Sequence, residues 1–563
     1  MTSMPGQLVS SPFGFLRLAG PILDKELRVM SRRRGLYVLR FVYICLFAAV
    51  VLRLWFTVWW SSLGGPAVLQ VSRLGEIGRQ IVALVVWFQF LTGQLFAALL
   101  LSDAIGKEVR QRTLDSLLVT PVGGLQIVLG KLLGRLLQAG SLVAISLPML
   151  AVVRVFGGVP WDYVVAGLCL TLSAGLFAGA LSLLCSTSSR DAYHAVLTVG
   201  LWYLVMWALV PMFLTLLPRV GYASGATVMT VLYLTNPFLV LAELTRGMTS
   251  GFGGVLMPAY SPCLILLALV VVVTAWSVWR VRRAALGVIP ARAPETPPET
   301  TPCASSRAGP RSIRPVVGSP IVWKERCTPL FRARWHCWLS LGTLILVLGF
   351  VVAVSIYTGS ERPILALFLV LVVQLLFAVD LGVAAASAVT KEKEARTWPV
   401  LLTTPLDSKE ILRDKALGLF RRNLPLLMPL PVLYLLALLP DPSQQMGFWQ
   451  VVVIGGLMTA GLVSTACFLL GMGLYFSIRF RTTAAAIVAT LIGYVFSLFL
   501  FGGSLGPLLF LLAAILSRMG VHQSANAIPL ATLAFALVAA GIYAGVGLLL
   551  LRLGAARVRR NVF

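Results

Sequence analysis

Apolar residues in this chain come in long blocks separated by short polar or basic segments. The runs at 204–217 (LVMWALVPMFLTLL) and 264–276 (LILLALVVVVTAW) contain no charge. A helix that crosses a bilayer needs about 20 consecutive apolar residues, and blocks of that length recur along the chain. Two-residue alternation is absent, which argues against a transmembrane β-barrel. Twelve spans are predicted, near 36–60, 81–104, 128–153, 162–186, 193–217, 258–280, 336–357, 364–388, 423–440, 449–476, 484–502 and 529–552. The stretch 505–517 is short for a span and reads as a re-entrant or interfacial piece. The fold class predicted is therefore all-α, a polytopic transmembrane helical bundle.

Composition agrees. Hydrophobic residues make up 58% of the chain and charged residues 12%, where a soluble globular protein carries about 25% charge. The formal net charge of +26 does not point to nucleic acid. Its lysines and arginines sit in short loops between apolar blocks, as the positive-inside rule requires. The segments around 103–135 and 391–422 are rich in Lys and Arg, whereas 441–448 has none. Twelve spans with both termini cytoplasmic put every basic-rich segment on one side, in a multi-pass protein of the plasma membrane. Outlying arginines (73, 79, 154, 219, 246 and 362) fall in loops on the other side. The first twenty residues lack a basic region followed by an apolar one, so insertion is expected to rely on the first span. Eight cysteines, five of them within apolar blocks, read as unpaired thiols.

Residues 286–317 break the apolar texture with seven prolines among Thr, Ser and Arg, and read as a flexible cytoplasmic linker. It separates a unit at 1–285 from one at 318–563, and the two read as tandem six-helix repeats. Segment 107–134 (KEVRQRTLDSLLVTPVGGLQIVLGKLLG) aligns with 391–418 (KEKEARTWPVLLTTPLDSKEILRDKALG) at a constant offset of 284, with 12 of 28 positions identical. The shared polar positions include Lys107/Lys391, Glu108/Glu392, Arg112/Arg396, Thr113/Thr397 and Lys131/Lys415, and hydrophobicity alone would not match them. A second echo, PILDKE at 21–26 and PIVWKE at 320–325, precedes the first span of each half.

The repeated motif has readable local physics. Glu108 and Arg112, like Glu392 and Arg396, have the spacing of a favourable pair on a helix. Thr120–Pro121 and Thr404–Pro405 should end that helix, because a residue before proline avoids the α region. Asp407 and Glu410 have capping-box spacing for the next helix, with Gly123 and Gln126 as weaker counterparts. Two short amphipathic helices joined by an elbow are predicted, able to receive a push from a soluble partner.

The pattern KE…RT…LL.TP……I…K..G after the second of six spans resembles the permeases of the ABC transporter type-2 family. The resemblance implies elbow helices at 15–34 and 318–334, and coupling helices at 105–134 and 389–418. It implies coupling to an ATPase through Glu108, Arg112, Thr113, Pro121 and Lys131, and through Glu392, Arg396, Thr397, Pro405 and Lys415. Asn236–Pro237 fits the Asn-Pro that the family often carries before its last span. The function implied is that of a membrane-spanning permease, of export type, worked by separate ABC-type ATPase subunits. No cofactor is expected in this chain, since ATP and Mg would be held by the partner. The chain would not itself be an enzyme, and its P-loop-like stretch has Leu132 where Ser or Thr would hold magnesium.

A secondary active transporter with two parallel six-span halves is the alternative. Asp380 is the one acidic residue well inside a predicted span, which makes it a candidate for a translocation role; Phe96 occupies its place in the first half. A metalloenzyme is disfavoured: His194, His336 and His522 lack ligand spacing, and the Cys327/RWHCW cue is weak.

Overall fold

A computed structural model describes residues 20–31, 34–62, 67–106, 108, 123–155, 159–188, 192–215, 217–218, 224–250, 260–285, 318–327, 362–427, 448–497 and 530–559. Among these there is no strand. The helices are α1 (Gly20–Ser31), α2 (Arg34–Ser62), α3 (Ala67–Leu101), α4 (Gly124–Val155), α5 (Trp161–Ser188), α6 (Ala192–Leu204), α7 (Val210–Leu214), α8 (Gly225–Thr235), α9 (Pro237–Ser250) and α10 (Tyr260–Ala285). They continue with α11 (Pro320–Cys327), α12 (Arg362–Glu394), α13 (Trp398–Leu402), α14 (Ser408–Leu427), α15 (Phe448–Arg479), α16 (Thr483–Ser497) and α17 (Leu530–Arg559).

Seven described helical stretches are long and apolar enough to cross a membrane, or eight if the bent pair α8–α9 is one span. This is a membrane-embedded helical protein. Three further predicted spans are helical, with shorter apolar stretches at Arg40–Ala49, Tyr193–Leu209 and Thr483–Ser497. The predicted span 336–357, the stretch 505–517, the linker 286–317 and most of 423–440 lie outside the described residues.

The segment between 218 and 257 reads as a loop from its sequence, yet α8 and α9 lie there, bent by 100°. The bend lies at Asn236–Pro237, and the Asn236 side chain also serves a second proline, Pro211. Pro211 has no N–H to give the carbonyl of Trp207, four residues earlier. Asn236 supplies the donor: its Nδ2 bonds Trp207 O at 3.1 Å, while its Oδ1 accepts from Phe238 N at 3.0 Å. Asn236 leaves the helical conformation (φ −98°, ψ 107°), and Pro237 opens α9. One side chain thus satisfies the orphaned groups of two elements. The five-residue π-helical segment Val205–Leu209 contains Trp207.

The described chain forms two compact units, Met1–Cys45 with Gly78–Asp191 and Glu243–Thr301, and Leu46–Ile77 with Ala192–Ala242 and Pro302–Phe563. In the first, α5 packs on α10 and α1 on α4. Tyr43 lies buried against Phe88 and Phe96, with ring centroids 5.6 and 6.2 Å away. Gln89 and Ser146, both buried, bond each other across α3 and α4. In the second unit, α15 packs against α12 and α17, α14 holds α11, and α6 lies on α12.

Where lipid surrounds a bundle, helix contact depends on close packing more than on water exclusion, and glycines let backbones approach. The sequence offers the pairs Gly175/Gly179 and Gly541/Gly545. Gly179 packs against Leu136 and Leu101, but a Cβ on Gly541 or Gly545 would meet no described residue within 4 Å. The close crossing of α15 and α17 is made by Gly471 and Gly547 instead: a Cβ on either would run into backbone carbonyl of the other helix. Gly547→Ala is therefore expected to lower thermal stability in detergent by about 1–3 kcal/mol, the cost of overpacking. Gly541→Ala should be neutral or raise it by up to about 1 kcal/mol. Equal melting shifts for the two variants would refute this crossing.

Candidate functional site

Lys415 of α14 is 1% exposed. Its ammonium bonds Glu392 Oε1 at 2.9 Å, Glu325 Oε1 at 3.3 Å and the carbonyl of Ala388 at 3.4 Å. Three elements meet there: α14, the end of α12, and α11. Lys324 adds a second cation to Glu392 at 3.2 Å. The approach is close because position 418 is glycine; a Cβ there would lie 2.7 Å from the Cβ of Glu325.

The first copy of the motif makes the same joint within its own unit. Lys131 of α4 is 3% exposed, bonds the carbonyl of Ala104 at 2.6 Å and pairs with Glu108 at 2.5 Å. Gly134 faces Glu26 of α1, with 3.1 Å to the position a Cβ would take. Arg135 supplies the cation to Glu26, at 3.7 Å. A serine also recurs. Ser186 Oγ accepts from the amides of Ile105 and Gly106 at 3.2 and 3.0 Å, and Ser477 Oγ from those of Val389 and Thr390 at 2.9 and 3.0 Å. Those amides correspond at the same offset of 284 that relates the two copies of the motif.

Not every expectation holds at Arg396. Glu392 and Arg396 do not form the helical pair that their spacing suggests. Arg396 has φ 58°, its amide bonds Lys393 O at 3.1 Å, and the amide of Thr397 bonds Glu392 O at 2.9 Å. That is a Schellman closure, with Arg396 in the left-handed position where glycine is usual. The helix ends before Arg396, and Glu392 turns to Lys415 and Lys324. The corresponding Arg112, with Thr113 and Pro121, lies outside the described residues.

Beyond the closure, Trp398 is buried and anchors the short α13, whereas Val400 is 66% exposed. The hydroxyls of Thr403 and Thr404 donate to Val400 O and Leu401 O at 2.8 and 2.6 Å, closing α13 ahead of Pro405. α14 then starts from Asp407, whose carbonyl accepts from Ile411 N at 3.0 Å. Asp407 also pairs with Arg559 at 3.1 Å. In the first copy, Gly123 N donates to Gln126 Oε1 at 3.3 Å, the reciprocal half of a capping box.

The four residues Lys391–Glu394 each take a different task. Lys391 lies over the ring of Tyr193, 4.3 Å from its centroid. Glu392 holds Lys415. Lys393 donates to the carbonyls of Ser477, Ile478 and Phe480 at the end of α15, a cation placed at the negative end of a helix. Glu394 accepts from Thr483 N at 2.8 Å at the start of α16. The first copy has Val109 and Arg110 at the last two positions, so these two caps are not duplicated in the sequence.

Asp380 is 5% exposed on α12. The hydroxyl of Tyr193 donates to its Oδ1 at 3.0 Å, and Arg422 Nη2 donates to the same hydroxyl at 3.1 Å. Tyr193 thus bridges a carboxylate and a guanidinium from α12 and α14. The first copy's Phe96, also buried, packs on Tyr43 instead.

No protein-family model matches this sequence, and no curated protein matches it either. No group of three or more His, Cys, Asp or Glu able to hold a metal occurs among the described residues. Mechanically, the arrangement is a rigid corner, in which a buried cation ties the end of one long helix to the start of the next and to a short helix beside them. Several of its parts are absent from the residues that the motif singles out. Glu26 and Glu325 end the repeated PI..KE echo, a usable signal. Ser186, Ser477, Tyr193 and Arg422 carry no local signature, because their partners lie on distant segments.

Removing one partner of a buried ion pair strands the other and costs about 3–5 kcal/mol. Lys415→Met and Glu392→Gln should each destabilise the detergent-solubilised protein on that scale. The double variant should recover part of the loss, with a coupling of about 1–3 kcal/mol. Unfolding measurements on the four proteins check this; additive losses would mean the joint is not a unit.

Proposed function

We propose that this chain is the membrane-spanning permease component of an ATP-driven ABC transporter of export type. In this reading it has twelve spans in two tandem six-helix repeats, and its termini face the cytoplasm of a cell whose plasma membrane it occupies. Separate ABC-type ATPase subunits, holding ATP and Mg, dock on 105–134 and 389–418. The observation that carries the reading is the recurrence of one joint at both copies of the motif, Lys131–Glu108–Ala104 O and Lys415–Glu392–Ala388 O.

A coupling element must be rigid toward the membrane and exposed toward its driver. The second copy suits both demands. Its base is locked by Lys415, while Arg396, Thr397, Val400, Thr403 and Pro405 are exposed. A push on α13 would pass through the closure at Arg396 to α12, and through α14 to the elbow helix α11. The two docking sites would be unequal, since Gly123 stands where the second copy has Asp407, and Arg110 where it has Glu394.

One observation favours the secondary-transporter reading: a buried carboxylate, Asp380, at membrane depth. Its engagement by Tyr193 and, through it, Arg422 suits a structural tie between helices equally well.

Affinity capture of the tagged protein in mild detergent tests the proposal. An ATPase should co-purify, and Val400→Asp should reduce its recovery at least about tenfold, the loss of one decade of affinity, without lowering the melting temperature. Transport in vesicles should stop when ATP is depleted. Absence of an ATPase, with transport that survives ATP depletion but collapses with the proton gradient, would overturn it in favour of secondary transport.

A further inference from the structure

We propose that a cleft in the first unit, between α3, α4, α5 and α10, is a binding site for one acyl chain of a membrane lipid. The cleft has a volume of about 500 Å³. All of its lining residues lie inside the four stretches Gly78–Leu101, Gly124–Ser146, Trp161–Thr187 and Tyr260–Arg283, each apolar and long enough to cross a bilayer. The medium at its mouth is therefore hydrocarbon. The mouth is open, since Leu172, Tyr260 and Leu264 at the rim are 54%, 63% and 66% exposed.

Missing side chains make the hollow. Gly93, Gly140 and Gly175 lie on its wall, from three different helices. A Cβ on Gly140 would meet no described residue within 4 Å. Among the described residues Gly140 thus serves no close helix contact, unlike Gly547, and no such packing offsets its cost to helix stability.

The chemistry of the wall selects the occupant. The hydroxyls of Thr171 and Ser173 donate to the carbonyls of Gly167 and Leu170 in their own helix, at 2.7 and 3.1 Å. Their hydrogens are committed, and the rest of the wall is Gly, Ala, Val, Leu and Cys with Tyr260 at the rim. A polar ligand would bury donors and acceptors without partners, which is unfavourable. A second protein helix does not fit, because a helix 10–12 Å across spanning about 30 Å of hydrocarbon occupies on the order of 2,500 Å³. A flexible hydrocarbon chain needs no hydrogen bonds, and it restores the dispersion contacts that an empty cleft forfeits. Lipid occupancy depends on the membrane placement of this unit and is independent of any ATPase.

The test uses the full-length protein in detergent, with a phospholipid whose acyl chain carries a photoreactive diazirine. After irradiation, label should concentrate on the peptides holding Cys169–Leu176 and Cys263–Leu267. Unlabelled phospholipid should compete it away, whereas the free glycerophosphate headgroup should not. Gly140→Leu places a side chain in the cleft and should cut labelling about tenfold, one decade of affinity. Leu137→Phe, on the same helix at a position exposed outside the cleft, should leave labelling unchanged. Label spread evenly over the apolar surface, unchanged label in Gly140→Leu, or competition by the headgroup alone would overturn the proposal. So would crosslinking of Cys263 to a second copy, which would assign the face to self-association. The competition experiment needs no variant, and decides between these outcomes if Gly140→Leu does not fold.

Discussion

Burying a lysine ammonium is unfavourable unless hydrogen bonds and opposite charge surround it. Lys131 and Lys415 meet that condition in the same way, each between a backbone carbonyl and a glutamate where the preceding long helix ends. The condition is strict in direction and distance, so it determines where α4 and α14 start relative to α3 and α12. The short helices α1 and α11 are then held by Glu26 and Glu325, which approach closely because residues 134 and 418 are glycine. Buried ion pairs add little net stability compared with apolar packing. Their contribution here is geometric: a corner that cannot slide without stranding a charge.

The same rule governs the rest of the chain. In an apolar surrounding, every helix end and every proline leaves backbone groups that water cannot satisfy. Asn236 repairs the carbonyl that Pro211 orphans at Trp207 and also caps α9. Ser186 takes two amides just past the end of α3, and Ser477 two in the last turns of α12. Lys393 and Glu394 close the end of α15 and the start of α16. Polar residues are few in this protein, and many of those in the interior are occupied with backbone.

Part of this architecture is legible in the amino-acid sequence. Long charge-free blocks announce membrane helices because a helix surrounded by lipid is apolar over about 20 residues. The 28-residue echo marks its own key residues, since Glu108/Glu392, Lys131/Lys415 and Gly134/Gly418 are identical in both copies. The break at Thr404–Pro405 is legible because it depends on neighbours in sequence, whereas the Asp407 carboxylate pairs with Arg559, 152 residues away. The bend at Asn236 is half visible, as an Asn-Pro pair in the segment between two predicted spans.

Other features depend on residues far apart in the chain, and no local pattern encodes them. Helix spacing suggests that Glu392 would pair with Arg396. The helix closes one residue too soon for that, and Lys415, 23 positions on, takes the carboxylate. Gly541 and Gly545 have the spacing of a packing motif but meet no described residue, because the rotation of α17 is decided by its contact with α15 at Gly547. Asp380 is conspicuous in the sequence, yet Tyr193, which binds it, lies 187 residues away from it and 229 from Arg422. The sequence by itself determined the membrane texture, the repeated motif and the residue types that its corner requires. Tertiary structure alone decided which charge meets which and which glycine faces a helix, because burial makes an unpaired group costly only after the helices have come together.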